Sequence, residues 1–321
     1  MPLRSDVAGA VAGTALSLGL VCAAALGANA SEPYAPPPAP AVGSAIHGFG
    51  DVTFTNDYIT PRGLLVTNTG LTTQILNGLV FNLYKGPGLI SNASLTVGIW
   101  NDLWSEQDNP KVGSWNEFDW FVGLNFTIAK NWNAGVLFIQ FLSPPGNFRA
   151  ESNIEFSLAY NDSNHGWPIA LHPYVKLFYA AAGDSTVVEG RKGDTYDVEL
   201  GIVPTYTIKH YNRSITLTAP TWITVGPTTY WNDGATGCGP LPTSTCAKSN
   251  AGVFSTGLAA KMPLDFISPA YGNWYVKGGV QYYHIMNDSL LLAQTVVGTA
   301  PSFADAHREV VTGFGSIGFS W

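Results

Sequence analysis

The chain has 321 residues, of which 12% are charged and 12% aromatic, with 35 glycines and a formal net charge of −7. An ordinary soluble domain carries about 25% charged residues, so this chain has little polar side chain with which to cover a water-facing surface. The negative balance argues against a nucleic-acid partner, because phosphate binding needs a basic face.

Residues 1–30 read as an export signal: Arg4, an apolar run from Val7 to Leu26, and Ala28-Asn29-Ala30 ahead of Ser31. A membrane anchor is the competing reading, weakened by the many Ala and Gly residues. Cys22 raises lipid attachment, but Val21 stands where a small residue is expected. Residues 31–45 hold Pro36-Pro37-Pro38 and read as an extended periplasmic linker.

From 46 to 321 one kind of unit repeats. Runs of apolar residues on one parity are broken by Gly, Pro, Asn and Asp. Strands are expected near 46–59, 71–85, 92–103, 115–129, 132–143, 150–161, 168–181, 194–208, 213–225, 252–263, 273–286 and 308–321. The clearest places Phe118, Trp120, Val122, Leu124, Phe126 and Ile128 on one face. Glu117, Asp119, Phe121, Gly123, Asn125 and Thr127 lie on the other. These runs exceed the five or six residues usual in soluble sheets, and about nine to eleven suffice to cross a bilayer at a tilt. Their period of two excludes helices, and no later segment has a run of about 18 apolar residues.

The connections alternate. Those at 86–91, 130–131, 162–167, 209–212 and 264–272 are short, and those at 60–70, 104–114, 144–149, 182–193, 226–251 and 287–307 are mostly longer. The expected fold is therefore all-β: a transmembrane antiparallel β-barrel of about 12 strands, with short periplasmic turns and longer extracellular loops. Trp100, Trp104, Trp115, Trp132, Trp167, Trp222, Trp231, Trp274 and Trp321 fall near strand ends, as interfacial girdles would. Cys238 and Cys246 sit in a Gly/Pro/Ser/Thr-rich loop and fit a disulfide formed in an oxidising compartment, with no His beside them for zinc.

The closing segment Ile317-Gly318-Phe319-Ser320-Trp321 resembles the C-terminal signature of outer-membrane barrels. The resemblance implies that Phe319 and Trp321 are the signal read by the barrel-assembly machinery. The segment Phe54-Thr55-Asn56-Asp57-Tyr58-Ile59-Thr60-Pro61-Arg62-Gly63 resembles the first strand and loop of the TorF-type putative porin family, with Pro61 as an insertion before Arg62-Gly63. That resemblance implies a small outer-membrane channel and carries no substrate or catalytic residue. On its own chemistry, Arg62-Gly63 reads as a positive residue in a flexible turn.

With the apolar parity toward lipid, the other parity lines a lumen. Its candidates are Asp57, Glu117, Asp119, Glu155, Asp197 and Glu199 with Lys176 and Lys277, joined by Asp51, Lys261 and Arg308. Strand direction puts Asp57, Glu117, Asp119, Asp197 and Glu199 toward the outer mouth and Lys261 and Lys277 toward the periplasmic half. Such an acidic entrance favours cations, unless these groups pair among themselves or merely solvate the interior. Phe121, Tyr174, Phe178, Tyr275 and Tyr283 point inward, either as a stacking track or as filling. The loops 226–251 and 287–307 are long enough to fold in.

The expected function is a porin-like channel in the bacterial outer membrane passing small hydrophilic solutes or ions, with a mild cation preference and no cofactor. Lipid, lipopolysaccharide and the assembly machinery are its expected partners, and a homo-oligomer stays open. A non-conducting structural or surface-binding barrel is the main alternative. A lipid hydrolase using His284, His165, His172 or His210 lacks a recognisable nucleophile motif. A secreted lectin-like protein leaves the sorted connections unexplained.

Overall fold

A computed structural model describes residues 45–106, 114–183, 194–210, 213–231 and 250–321. The expected export signal, nearly all of the linker, and Cys238 and Cys246 lie outside the described residues.

In chain order the strands are β1 (Ile46–Thr55), β2 (Tyr58–Ile59), β3 (Leu65–Thr67), β4 (Thr72–Lys85), β5 (Ile90–Trp104), β6 (Trp115–Ile128), β7 (Trp132–Leu142), β8 (Glu151–Tyr160) and β9 (Tyr174–Gly183). There follow β10 (Thr195–Ile202), β11 (Thr205–His210), β12 (Arg213–Thr218), β13 (Thr221–Val225), β14 (Ala251–Pro263), β15 (Asn273–Ile285) and β16 (Glu309–Ser320). Among the described residues two α-helices, α1 (Thr228–Trp231) and α2 (Asp288–Val297), lie in connections. No helix among the described residues is long and apolar enough to cross a membrane, which leaves strands free to do so.

All neighbours in the main sheet are antiparallel, and β1 closes on β16 from Phe49↔Ser320 to Thr55↔Phe314. The result is a closed twelve-stranded antiparallel barrel, with β2 and β3 standing apart as a small hairpin. Two of the twelve staves are broken in step. Pro204 separates β10 from β11 and Pro220 separates β12 from β13, because proline offers no N–H to a ladder. The carbonyls still serve: Ala219 N–H donates to Pro204 O at 2.9 Å and Gly257 N–H to Pro220 O at 3.0 Å.

Side-chain parity follows the sequence. Leu124, Val136, Phe156, Leu200, Leu258, Val280 and Ile317 are exposed on the outer wall, while Asn125, Glu155, Lys176, Glu199 and Gln281 are buried inside. An outer wall so apolar is stable only against lipid.

Trp115, Trp132, Trp167 and Trp321 are exposed near the rims. At the short-turn end Trp274 stacks on Phe319 at 4.8 Å, and Phe319 on Trp321 at 5.6 Å. The Trp321 ring lies where a Cβ on residue 48 would stand, so Gly48 gives it room. The girdle expectation needs correction for four residues. Trp100, Trp222 and Trp231 are buried, and Trp104 shares their inward parity with Nε1–H donating to Asp102 Oδ2. Strand ends at the long-loop side meet folded-in loops, so a ring there can bury inward instead of seeking the lipid interface.

The expected strand 168–181 begins only at Tyr174. Pro168 and Pro173 interrupt the ladder, and residues 161–173 instead wrap around Asp162. Its carboxylate accepts from Leu171 N–H at 2.8 Å and His172 N–H at 3.0 Å. Burial alone would raise the Asp162 carboxyl, but these two donors hold it below its ordinary 3.8. Burial also lowers the imidazole of His172 from 6.5, with the Asp162 charge opposing. Both shifts have the same sign in stability. The unfolded chain binds the extra proton, so stability is full above the unfolded pKa and falls on acidification. Loss should therefore begin below about 6.5 through His172 and deepen below about 4 through Asp162. His172→Asn, which tolerates the positive φ of 45° there, should remove the first phase in urea titrations followed against pH; an unchanged profile would contradict the assignment.

Candidate functional site

The long-loop end of the barrel is filled from within. After β1 the chain turns inward as the β2–β3 hairpin, whose tip is Thr60-Pro61-Arg62-Gly63. Gly63 N–H donates to Thr60 O at 2.9 Å and Leu64 N–H to Thr60 Oγ1 at 3.1 Å, closing a tight turn with Pro at its second position. Gly63 has φ +96°, and a Cβ there would stand 2.9 Å from Val253 Cβ, so glycine is required.

Three connections meet in one apolar cluster. Ile59, Leu64 and Leu65 from the hairpin pack with Tyr230 and Trp231 of α1 and with Leu290, Leu291 and Ala293 of α2. Trp222, Val253, Tyr283, Ile285 and Val310 of the wall complete it. Helix α2 was not expected in the connection 287–307. Its signals were local: Asn287 caps it by accepting from Ser289 N–H at 3.0 Å, and Gly298 ends it in a left-handed conformation. A second cluster includes Tyr58, Trp100, Phe121, Phe141 and Phe178.

Acidic side chains surround the hairpin tip. Glu117, Asp119, Glu155, Asp197 and Glu199 are all buried on the inner wall, together with Asp102 and Glu151. Asp57 stands half-buried in the connection after β1 and not on the barrel wall, with Asn56 Nδ2–H donating to it at 2.7 Å. Tyr58 donates to Glu117 Oε2 at 3.2 Å. Lys176 Nζ lies 3.4 Å from Glu199 Oε1, and Tyr174 donates to the same oxygen at 2.8 Å. Some expected lumen charges therefore do pair with one another.

Arg62 is the feature that the sequence reading missed. It is only 4% exposed, and its guanidinium lies 5.4 Å from the Phe141 ring centre and 5.1 Å from that of Phe178. Glu117, Asp119, Glu151, Glu155 and Asp197 all lie within its electrostatic reach. It is held as a cation over aromatic faces inside an acidic ring. A charge buried among carboxylates far apart in sequence leaves no spacing signal, which is why it read as a turn residue.

The short-turn half carries Lys261 and Lys277. Lys261 Nζ lies 3.8 Å from the Tyr275 ring centre, and Tyr275 donates to Asp51 Oδ2 at 2.8 Å. Lys277 lies 5.5 Å from the Phe314 ring centre. Arg308 is not on the inner wall; it pairs with Asp288 at the start of α2 at 2.7 Å. His284 sits on the outer rim with Nδ1 2.6 Å from Glu309 Oε1, and Tyr282 also donates to Glu309.

No family model matches the sequence, and no curated protein matches it. Among solved structures the chain is similar to an outer membrane channel from Pseudomonas putida F1, at 10% identity and a TM-score of 0.42 over 87% of this chain and 97% of that one. It is also similar to the β domain of the Bordetella autotransporter BrkA, at 9% and 0.43 over 86% and 99%. A third is OprB of Pseudomonas putida, at 10% and 0.36 over 86% and 93%. Likeness this distant carries no functional content.

The inner cluster supplies its own test. Leu290 is fully buried and Leu258 is exposed on the outer wall. Leu290→Ala should cost about 2–5 kcal/mol in urea unfolding from lipid vesicles, and Leu258→Ala clearly less. Equal costs would mean that α2 is not packed inside the barrel.

Proposed function

We propose that this chain is an outer-membrane channel for small hydrophilic solutes and ions, with a preference for cations. The observation that carries the reading is the charge of the inner wall toward the long loops, where carboxylates outnumber the basic groups Arg62 and Lys176. Acidic side chains between low-dielectric walls concentrate cations and repel anions. The sorting of short and long connections supports an orientation with the short turns in the periplasm. The half-buried Phe319 and the exposed Trp321 are then offered at the periplasmic rim to the assembly machinery, and the outer wall meets lipid and lipopolysaccharide.

A non-conducting barrel is the second reading, favoured by the packing of the hairpin, α1 and α2 inside the mouth. The two readings part in a planar bilayer. A channel should give stable steps and a cation-selective reversal potential in a salt gradient. Asp119→Asn combined with Glu155→Gln should lower the cation-to-anion permeability ratio by about twofold or more. Anion selectivity in the parent protein, or a ratio indifferent to both substitutions, would contradict the cation preference. Silence from correctly folded protein would favour the surface-binding role.

A further inference from the structure

We propose that the Arg62 side chain occupies a binding site for a guanidinium-bearing solute, so that the chain's own first loop sits in the place its cargo takes. The inference deepens the channel reading, and on that reading it names the solute class.

The chemistry around Arg62 is that of a guanidinium receptor. A planar delocalised cation is recognised by aromatic faces and by carboxylates at its edge. Phe141 and Phe178 supply the faces, at 5.4 and 5.1 Å from the guanidinium carbon. Asp197, fully buried on the inner wall, is among the carboxylates.

The occupant nevertheless fits poorly. Arg62 Nε and Nη1 and both oxygens of Asp197 close no bond of good geometry among the described residues, and the Tyr230 hydroxyl, which stands beside both groups, joins them only loosely. A structural arginine at such depth normally forms forked bonds to its carboxylates, since buried unpaired donors are costly. Here the hairpin tip delivers the group by charge and ring contact while its donors meet the surrounding acceptors only loosely. A free guanidinium, not tied to the backbone at Gly63, can rotate and shift to join them. The barrel thus holds a low-quality intramolecular ligand that a better one displaces.

The test is substitution with chemical complementation on the full chain in lipid. Arg62→Ala and the closer isostere Arg62→Gln, both checked for folding by heat-dependent gel mobility, should carry at least about threefold more sodium current than the parent. Millimolar methylguanidinium should bring that current back toward the parent level, and neutral methylurea should not. Calorimetry gives an independent reading: methylguanidinium should bind Arg62→Ala protein measurably tighter than the parent. Binding without current in any variant would uphold the site and remove the channel reading. Current unchanged by either substitution together with no binding, or equal effects of methylguanidinium and methylurea, would overturn the site.

Discussion

Every peptide group in a bilayer must find its hydrogen-bond partner within the protein, and here the pairing of β1 with β16 meets that demand. Without that seam the sheet has two raw edges in hydrocarbon. With it the sheet has an inside and an outside, and the period of two assigns every residue to one of them. The apolar wall, the buried carboxylates and the aromatic rims follow from closure.

Closure also creates an interior that must be filled or wetted. Twelve strands enclose more than side chains alone fill, since about eight give an interior just wide enough for that. The chain uses its long connections for the remainder. The β2–β3 hairpin, α1 and α2 bring aliphatic and aromatic side chains to the mouth, and their apolar contacts hold the hairpin tip at a fixed depth. That depth places Arg62 among carboxylates of β6, β8 and β10. The interior is thereby polarised, with acid and the tethered cation toward the long loops and Lys261 and Lys277 toward the short turns.

The strands were legible because alternation is a local signal repeated many times, and Glu117 to Ile128 shows it clearly. The orientation of Phe121, Phe178 and Tyr283 followed directly from parity. What lay beyond the sequence was packing between segments remote in the chain. Trp100 and Trp222 stand at strand ends, where a lipid interface and a folded-in loop compete for the ring, and only the fold of the loops decides between them. Arg62 depends on partners spread from Glu117 to Asp197 and Tyr230. Helix α2 was legible in its Asn287 cap and Gly298 stop, but a ten-residue helix inside a strand-rich chain is easily absorbed into a loop.

The central claim is that one parity of each strand faces lipid and the other the interior. It is tested most directly by spin labels placed singly at residues 118–127 of β6 in vesicles, with Cys238 and Cys246 changed to Ser. Accessibility to dissolved oxygen should alternate, high at Trp120, Val122 and Leu124 and low at Phe121, Gly123 and Asn125. Uniform access to a water-soluble nickel relaxant along the strand would contradict the account.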